Sequence, residues 1–183
     1  LPGLFILPFF LFSATSGQIA DKFEKSAVAR AVKVFEICIM LLAAWGFLVN
    51  LLWPLVTALF LMGVHSTLFG PVKYAYLPQQ LKKDELVGGN GMIEMGTFVA
   101  ILLGEVLGAW LATAPQGGVL TSAMIVGIAV LGYWMSRGIP LSPAADPQLK
   151  INWNPLTETW RSIAFARNNR VVWLSILGIS WFW

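Results

Sequence analysis

The chain has 183 residues, 57% of them hydrophobic and only 11% charged, with mean hydropathy +0.73 and a net charge of +3. That balance excludes a soluble globular domain and is the composition of a membrane protein. A single cysteine, Cys38, leaves no disulfide framework or CxxC metal site, and no basic–aromatic interleaving points to nucleic acid.

Six apolar runs follow one another: Leu1–Ala20, Val28–Val49, Leu51–Tyr76, Gly91–Thr113, Gly117–Trp134 and Arg170–Trp183. Most reach the ~20 residues that cross ~30 Å of hydrocarbon as a helix. The first is not a secretory signal, because no basic region precedes it and a basic cluster follows. The last covers only ~20 Å at ~1.5 Å per residue. With no Met at the start, both ends read as cut, and a piece of a longer protein is expected. Trp53, Trp110 and Trp134 sit near run ends, as interfacial anchors do.

The connections carry the topology. The first, third and fifth hold Lys22, Lys25, Arg30, Lys82, Lys83, Arg137, Lys150, Arg161 and Arg167, with Lys33, Lys73 and Arg170 in the adjoining helix ends. The second, around Asn50, and the fourth, Ala114-Pro115-Gln116, carry no charge. Lys and Arg are retained in the cytoplasm, so the odd connections are expected there and the uncharged turns outside, in a multi-pass membrane protein. The net charge reflects these loops beside anionic lipid.

The fifth connection is the longest, and Pro140, Pro143 and Pro147 rule out a continuous helix through it. A short amphipathic helix is expected near its end. Asn154 can cap it, Pro155 suits its first position, and Leu156, Trp160 and Ile163 form a stripe flanked by Arg161 and Arg167. Such a helix lies on the membrane surface. The expected division is a bundle over residues 1–137, a linker over 138–169 serving as hinge, and the start of a second bundle over 170–183.

Two blocks carry chemistry. The first connection reads Gly17-Gln18-Ile19-Ala20-Asp21-Lys22-Phe23-Glu24-Lys25. Gly17 is expected to let two helices approach closely, Asp21 to meet a helix end or a basic side chain, and Lys22 and Lys25 to hold the loop at the anionic leaflet. The second block is Phe69-Gly70-Pro71-Val72-Lys73-Tyr74-Ala75-Tyr76-Leu77-Pro78 followed by Leu86-Val87-Gly88-Gly89-Asn90-Gly91-Met92-Ile93-Glu94. The first block resembles the loop signature between helices two and three of the major facilitator superfamily. The second is similar to its bacterial lysophospholipid transporter branch, with a P-x-K-Y-x-x-L-P stretch before an N-x-x-x-E helix start. The closing Ser180-Trp181-Phe182-Trp183 suits the start of helix seven there. Glu24 stands where that signature more usually has Gly, and Asn90-Gly91-Met92 departs from the branch pattern. The resemblance implies an all-α helix bundle of which this chain covers roughly helices two to seven. It also implies a lysophospholipid or other amphiphile as cargo, and a fused or associated acyltransferase as a partner.

Ionisable groups inside the runs are costly in lipid and usually face a cavity or a partner. Glu94 and Glu105, eleven residues apart, fall within ~20° of each other on one helical face, which Gly108 shares, and Gly104 with Gly108 is suited to close helix packing. Lys73 lies at the depth of Glu94, so an ion pair is expected, as a structural link or as a gate or headgroup contact. Glu105, deeper, is the candidate for a polar contact in a central cavity. Lys33 is an i, i+3 partner for Glu36. His65, beside Ser66 and Thr67, is a candidate for proton coupling or for a structural bond to a neighbouring helix. The substrate path thus comprises Glu105, Glu94, Lys73 and His65, and the gating loop Gly17, Asp21, Lys22 and Lys25. Neither a metal set nor a nucleophile–base pair is recognisable, so no cofactor or catalysis is expected of these residues. A proton-linked drug or small-solute exporter is the alternative within transport. The membrane part of a fused acyltransferase is the alternative outside it.

Overall fold

The computed structural model describes residues 2–182, Phe182 by its backbone alone. Leu1 and Trp183, the outer ends of the first and last expected runs, lie outside them. The described residues form seven helices and no strand: α1 (Pro2–Lys22), α2 (Lys25–Val49), α3 (Leu52–Gln80), α4 (Leu86–Thr113), α5 (Gly117–Ser136), α6 (Pro155–Arg167) and α7 (Arg170–Phe182). The first five are long and apolar enough to cross a membrane. The chain is a multi-pass membrane helix bundle.

The helices end where the local chemistry dictates. Asn50 closes α2 in the left-handed conformation (φ 53°), its N–H returning to the Gly46 carbonyl, and Gln116 takes the same conformation (φ 63°) before α5. These two tight, uncharged turns form one end of the bundle. Pro54 occupies the first turn of α3, where its missing N–H costs nothing. Pro71 and Pro78 lie inside α3, which outlasts the expected run by four residues, to Gln80. In lipid a helix has no water to satisfy freed backbone groups, so it continues through proline. Likewise α4 starts at Leu86, five residues before the expected Gly91, running through Gly88-Gly89-Asn90. There Gly89 packs on Leu81, whose side chain a Cβ would strike.

Packing rests on small residues. Seven of the twelve buried apolar residues among those described are alanines, so the helices meet nearly backbone to backbone. α1 lies along α3, and α2 packs between α3 and α5. A cluster of Ala20, Ala29 and Val72 joins α1, α2 and α3 at the charged end; a second, of Ile39, Ala43 and Ala58, joins α2 and α3 deeper in the bundle. Gly63 of α3 lies hard against α1, where a Cβ would meet the Phe5 carbonyl and the Pro8 ring. α4 is the exception: it touches only α3 and α5 among the described helices, and Leu111 is its one buried residue.

Candidate functional site at the charged end of the bundle

The α1–α2 connection is built around Glu24. Its carboxylate caps α2, accepting the N–H groups of Ser26 (2.9 Å) and Ala27 (2.8 Å) and the Ser26 hydroxyl (2.9 Å). It also accepts the N–H of Ser142 (2.9 Å), far along the chain in the segment before α6, and Arg30 stands 3.7 Å away. Burial alone would raise its pKa, but the hydrogen bonds from Ser142, Ser26 and Ala27 outweigh that and hold the carboxyl at about 2.

Around that carboxylate the segment 142–152 is clasped to the bundle. Lys25 donates its N–H to the Ser142 carbonyl (3.1 Å) and its ammonium to the Pro143 carbonyl (3.1 Å). Gln79, at the end of α3, donates to the same Pro143 carbonyl (3.3 Å) and contacts the Ser142 hydroxyl. Asp146 donates its N–H to the Asp21 carbonyl (2.9 Å), and Asn152 and Gln18 exchange two bonds of 2.7 and 3.3 Å. The segment from Ser142 to Asn152 is therefore fastened to α1, α2 and α3. The α6 that follows is capped by Asn154, as expected, and turns Glu158 inward while Leu156 and Trp160 stay largely exposed.

Three expectations for this loop need correction. Gly17 is not a close-approach point: a Cβ there would meet nothing within 4 Å, because Thr15, Ser16 and Ala20 are the buried residues of this stretch and Gly17 lies ~100° round the helix from Ser16 and ~60° from Ala20. Lys25 does not reach toward lipid. It is 1% exposed, turned inward onto the Pro143 carbonyl, while Lys22 is half-buried with its ammonium 5.8 Å from the Phe23 ring. The Asp21 carboxylate is exposed and has no hydrogen bond or ion pair among the described residues. The group that meets the helix N-terminus is Glu24.

The second cluster joins α3 to α4. Lys73 Nζ stands 3.8 Å from Glu94 Oε1 and 3.4 Å from Thr97 Oγ1, and 4.7 Å over the Tyr74 ring. The Tyr74 hydroxyl donates to the same Glu94 oxygen. Both partners keep some access to the surface, with 21% of the Lys73 and 41% of the Glu94 side chain exposed. Beside them lies a cavity of about 140 Å³, lined by Lys25 and Ala29 of α2, Phe69, Val72, Lys73 and Tyr76 of α3, Ile93 of α4, and Ile139.

A third cluster lies deeper, ~12 Å from Lys73 along α3 by the helical rise. Lys33 Nζ meets Glu36 Oε2 at 2.7 Å, as the i, i+3 spacing predicts. His65 Nε2 reaches the same oxygen at 3.1 Å. The distance suits a hydrogen bond, but neither buried ring nitrogen has an aligned partner, so the two side chains meet as close neighbours across α2 and α3 without a directed bond. His65 stacks on Phe69 (6.0 Å, 13°), and Lys33 lies 5.3 Å from the same ring. The pairing of His65 with Glu36 had no signal in the sequence, since it spans two helices, and the role of Glu24 had little, since Glu is not among the favoured capping residues.

The four residues assigned to a substrate path do not converge. Lys73 and Glu94 meet, His65 belongs to the Glu36 cluster, and Glu105 is exposed on α4 with no bond or ion pair among the described residues. Gly104 and Gly108 likewise face open space, because no described helix covers that side of α4.

No protein-family model matches the chain. Several curated bacterial proteins named lysophospholipid transporter LplT do. That of Pectobacterium carotovorum is 33% identical over 186 residues, that of Photorhabdus laumondii 31% over 184, and that of Enterobacter sp. 29% over 187. Each match takes in 98% of this chain but only 42–44% of the relative. The chain thus spans less than half the length of the curated relatives it matches. The likeness to the lysophospholipid transporter branch carried by the two motif blocks extends along nearly all of these residues, and the relatives bear the names of transporters.

Proposed function

We propose that this chain is part of a bacterial inner-membrane transporter that moves lysophospholipid by alternating access, delivering it for re-acylation by an acyltransferase, fused or separate. The observation that carries this reading is the 98% coverage by relatives named for that cargo. The bundle suits it chemically: an amphiphile needs few charges beside a long apolar path, and the intramembrane charges described here are few, namely the Lys73–Glu94 pair, the Lys33–Glu36 pair and the isolated Glu105. In this reading α1–α5 belong to one half, residues 138–169 connect it to the next, and α7 begins the second half. The positive-inside rule puts the end bearing the α1–α2 and α3–α4 connections in the cytoplasm. Lys73 and Glu94 gate the path or meet the headgroup there, Glu105 contacts the cargo deeper in, and Gly17, Asp21, Lys22 and Lys25 belong to the loop that switches between conformers.

A proton-linked exporter is the second reading, favoured by the His65–Glu36 contact within the bundle. Uptake of radiolabelled lysophosphatidylethanolamine into spheroplasts carrying the intact protein separates the two. Uptake is expected for the wild type, with a strong loss in Asp21→Asn and a partial one in Glu105→Gln at normal membrane levels. In the same spheroplasts, cysteines at Asn50 and Gln116 are expected to label from outside, and those at Lys83 and Pro147 only after permeabilisation. No uptake by the wild type sinks the lysophospholipid reading, and labelling of Lys83→Cys in intact spheroplasts inverts the topology.

A further inference from the structure

We propose that residues 142–167 move as part of the first half of the bundle, and that the pivot between the halves is the two-residue turn Asn168–Asn169. The proposal rests on the transport reading, in which α7 opens a second half. The segment after α5 is tied down every few residues. Ile139 packs on the cluster of Ala20, Ala29 and Val72. Ser142 and Pro143 are held by Glu24, Lys25 and Gln79, Asp146 by the Asp21 carbonyl, and Asn152 by Gln18. These bonds reach three different helices, so no single bend of the segment releases them. Lys25 and Ser142 are both buried, and lifting the segment would part the Lys25 ammonium from its one acceptor among the described residues. Stranding a buried donor is costlier than losing an exposed bond. α6 extends the same body along α1: its Glu158 is buried and accepts from the Asn152 amide (3.3 Å).

Beyond Ala166 the pattern reverses. The N–H groups of Asn168 and Asn169 return to the Phe165 and Ala166 carbonyls (3.2 Å each). Asn169 Oδ1 caps α7, accepting the N–H groups of Val171 (3.0 Å) and Val172 (3.4 Å), and the Trp173 N–H meets the Asn169 carbonyl (2.9 Å). All of these bonds are local, and none reaches another part of the bundle. Residues 167–172 are exposed, and α7 touches α6 alone among the described helices. A cleft of about 330 Å³, with Ser13 and Ala14 on the α1 side and Trp173 and Ile176 on the α7 side, leaves α7 room to swing. Rotation at Asn168–Asn169 therefore breaks a few local bonds that water can replace, whereas the same rotation within 142–152 breaks enclosed ones. Hinges form where a few element-terminal residues can absorb such a change, and they need not be glycines.

The test places pairs of spin labels on the intact protein in nanodiscs, on a background without native cysteines, and reads their distance distributions by double electron–electron resonance. Cysteines at Lys83 with Gln148 and at Lys83 with Thr157 lie within the proposed body; Thr157 with Ser175 spans the pivot. The first two pairs are expected to give single narrow distances, and the third a broader or split one, even without lipid. Oleoyl lysophosphatidylethanolamine is expected to shift the third alone. Glu24→Gln, which loosens the segment, is expected to broaden the Lys83–Gln148 distance. Lysolipid-induced movement of either Lys83 pair, or a Thr157–Ser175 distribution as narrow as theirs, overturns the proposal. In spheroplasts, bridging Gln18→Cys to Asn152→Cys with a bifunctional thiol reagent is expected to leave uptake at the level of the unbridged variant. Bridging Ser13→Cys to Ile176→Cys across the cleft is expected to stop it. Uptake lost with the first bridge or kept with the second also overturns the pivot. No uptake by the wild type sinks the cargo reading instead, and the widths of the lipid-free distributions then decide the pivot by themselves.

Discussion

α3 and α4 are nearly matched in length, 29 and 28 residues, and both are apolar enough to cross a membrane, yet they live in different surroundings. α3 is wedged between α1 and α2 and buries Pro54, Ala58, Gly63, His65, Thr67, Val72 and Leu77, whereas α4 buries Leu111 alone. Hydrophobicity commits both to the membrane, since lipid accepts Leu and Phe as readily as a protein interior does. It does not decide which one is packed. That depends on where a small residue meets a neighbouring backbone, as Gly63 meets α1 and as Gly96, Gly104 and Gly108 meet nothing described.

The sharpest way to break this comparison is to add the same methyl group to each helix. At Gly63 a Cβ would lie 2.9 Å from the Pro8 ring and closer still to the Phe5 carbonyl oxygen, which is backbone and cannot swing aside. Gly63→Ala is expected to destabilise by about 1–3 kcal/mol, the usual cost of overpacking. Gly104→Ala, in open space, is expected to be neutral or to gain up to ~1 kcal/mol from helix propensity. Thermal unfolding of the intact protein in detergent measures both; equal effects would mean that α4 is packed as tightly as α3.

A second contrast lies between the two ends of the bundle, one closed by bare turns and the other by the clasp on Glu24. Glu24→Ala removes a cap and the acceptor of the Ser142 N–H together, so a loss of about 1–2 kcal/mol is expected, with hydrogen exchange at Ser142 rising most. The pH dependence has a defined direction. The carboxyl falls from 4.5 to about 2 on folding, so its contribution is complete above about pH 4.5 and is lost as pH falls toward 2. Protection at Ser142 is expected to hold from neutral pH to about 4 and to fade below it. In Glu24→Ala it is expected to be low throughout. Flat protection down to pH 2 in the wild type would show that the clasp does not rest on Glu24.

This contrast also marks what the residues disclose unaided. Spans, uncharged turns, the Asn154 cap and the Lys33–Glu36 and Lys73–Glu94 pairs follow from periodicity, charge placement and depth, which are local or one-dimensional quantities. The ends of α3 and α4 do not, because proline and glycine are weaker breakers in lipid than in water. Nor does the inward turn of Lys25, which depends on a partner carbonyl at Pro143, 118 positions away. Gly17 misled for a related reason: a small residue signals close approach only on the face a neighbour occupies, and that face belongs to Ser16 and Ala20.

The smallest expected effect concerns the one place where the packed and bare helices exchange charge. A fully buried Lys73–Glu94 pair would cost about 3–5 kcal/mol on losing either member. With 41% of the Glu94 side chain exposed and 3.8 Å between the charges, the pair is neither enclosed by the described helices nor in close contact, and Tyr74 still donates to Glu94 when Lys73 is gone. Lys73→Ala and Glu94→Ala are therefore expected to cost about 1 kcal/mol each, with a coupling of ~0.5–1 kcal/mol in the double variant. Raising ionic strength should shrink that coupling, since an accessible pair is screened and an enclosed one is not. Strictly additive losses would mean that the two side chains do not interact. A coupling of several kcal/mol, unmoved by salt, would mean instead that α4 is covered at Glu94 in the intact protein, and that the bareness of this helix ends where Lys73 meets it.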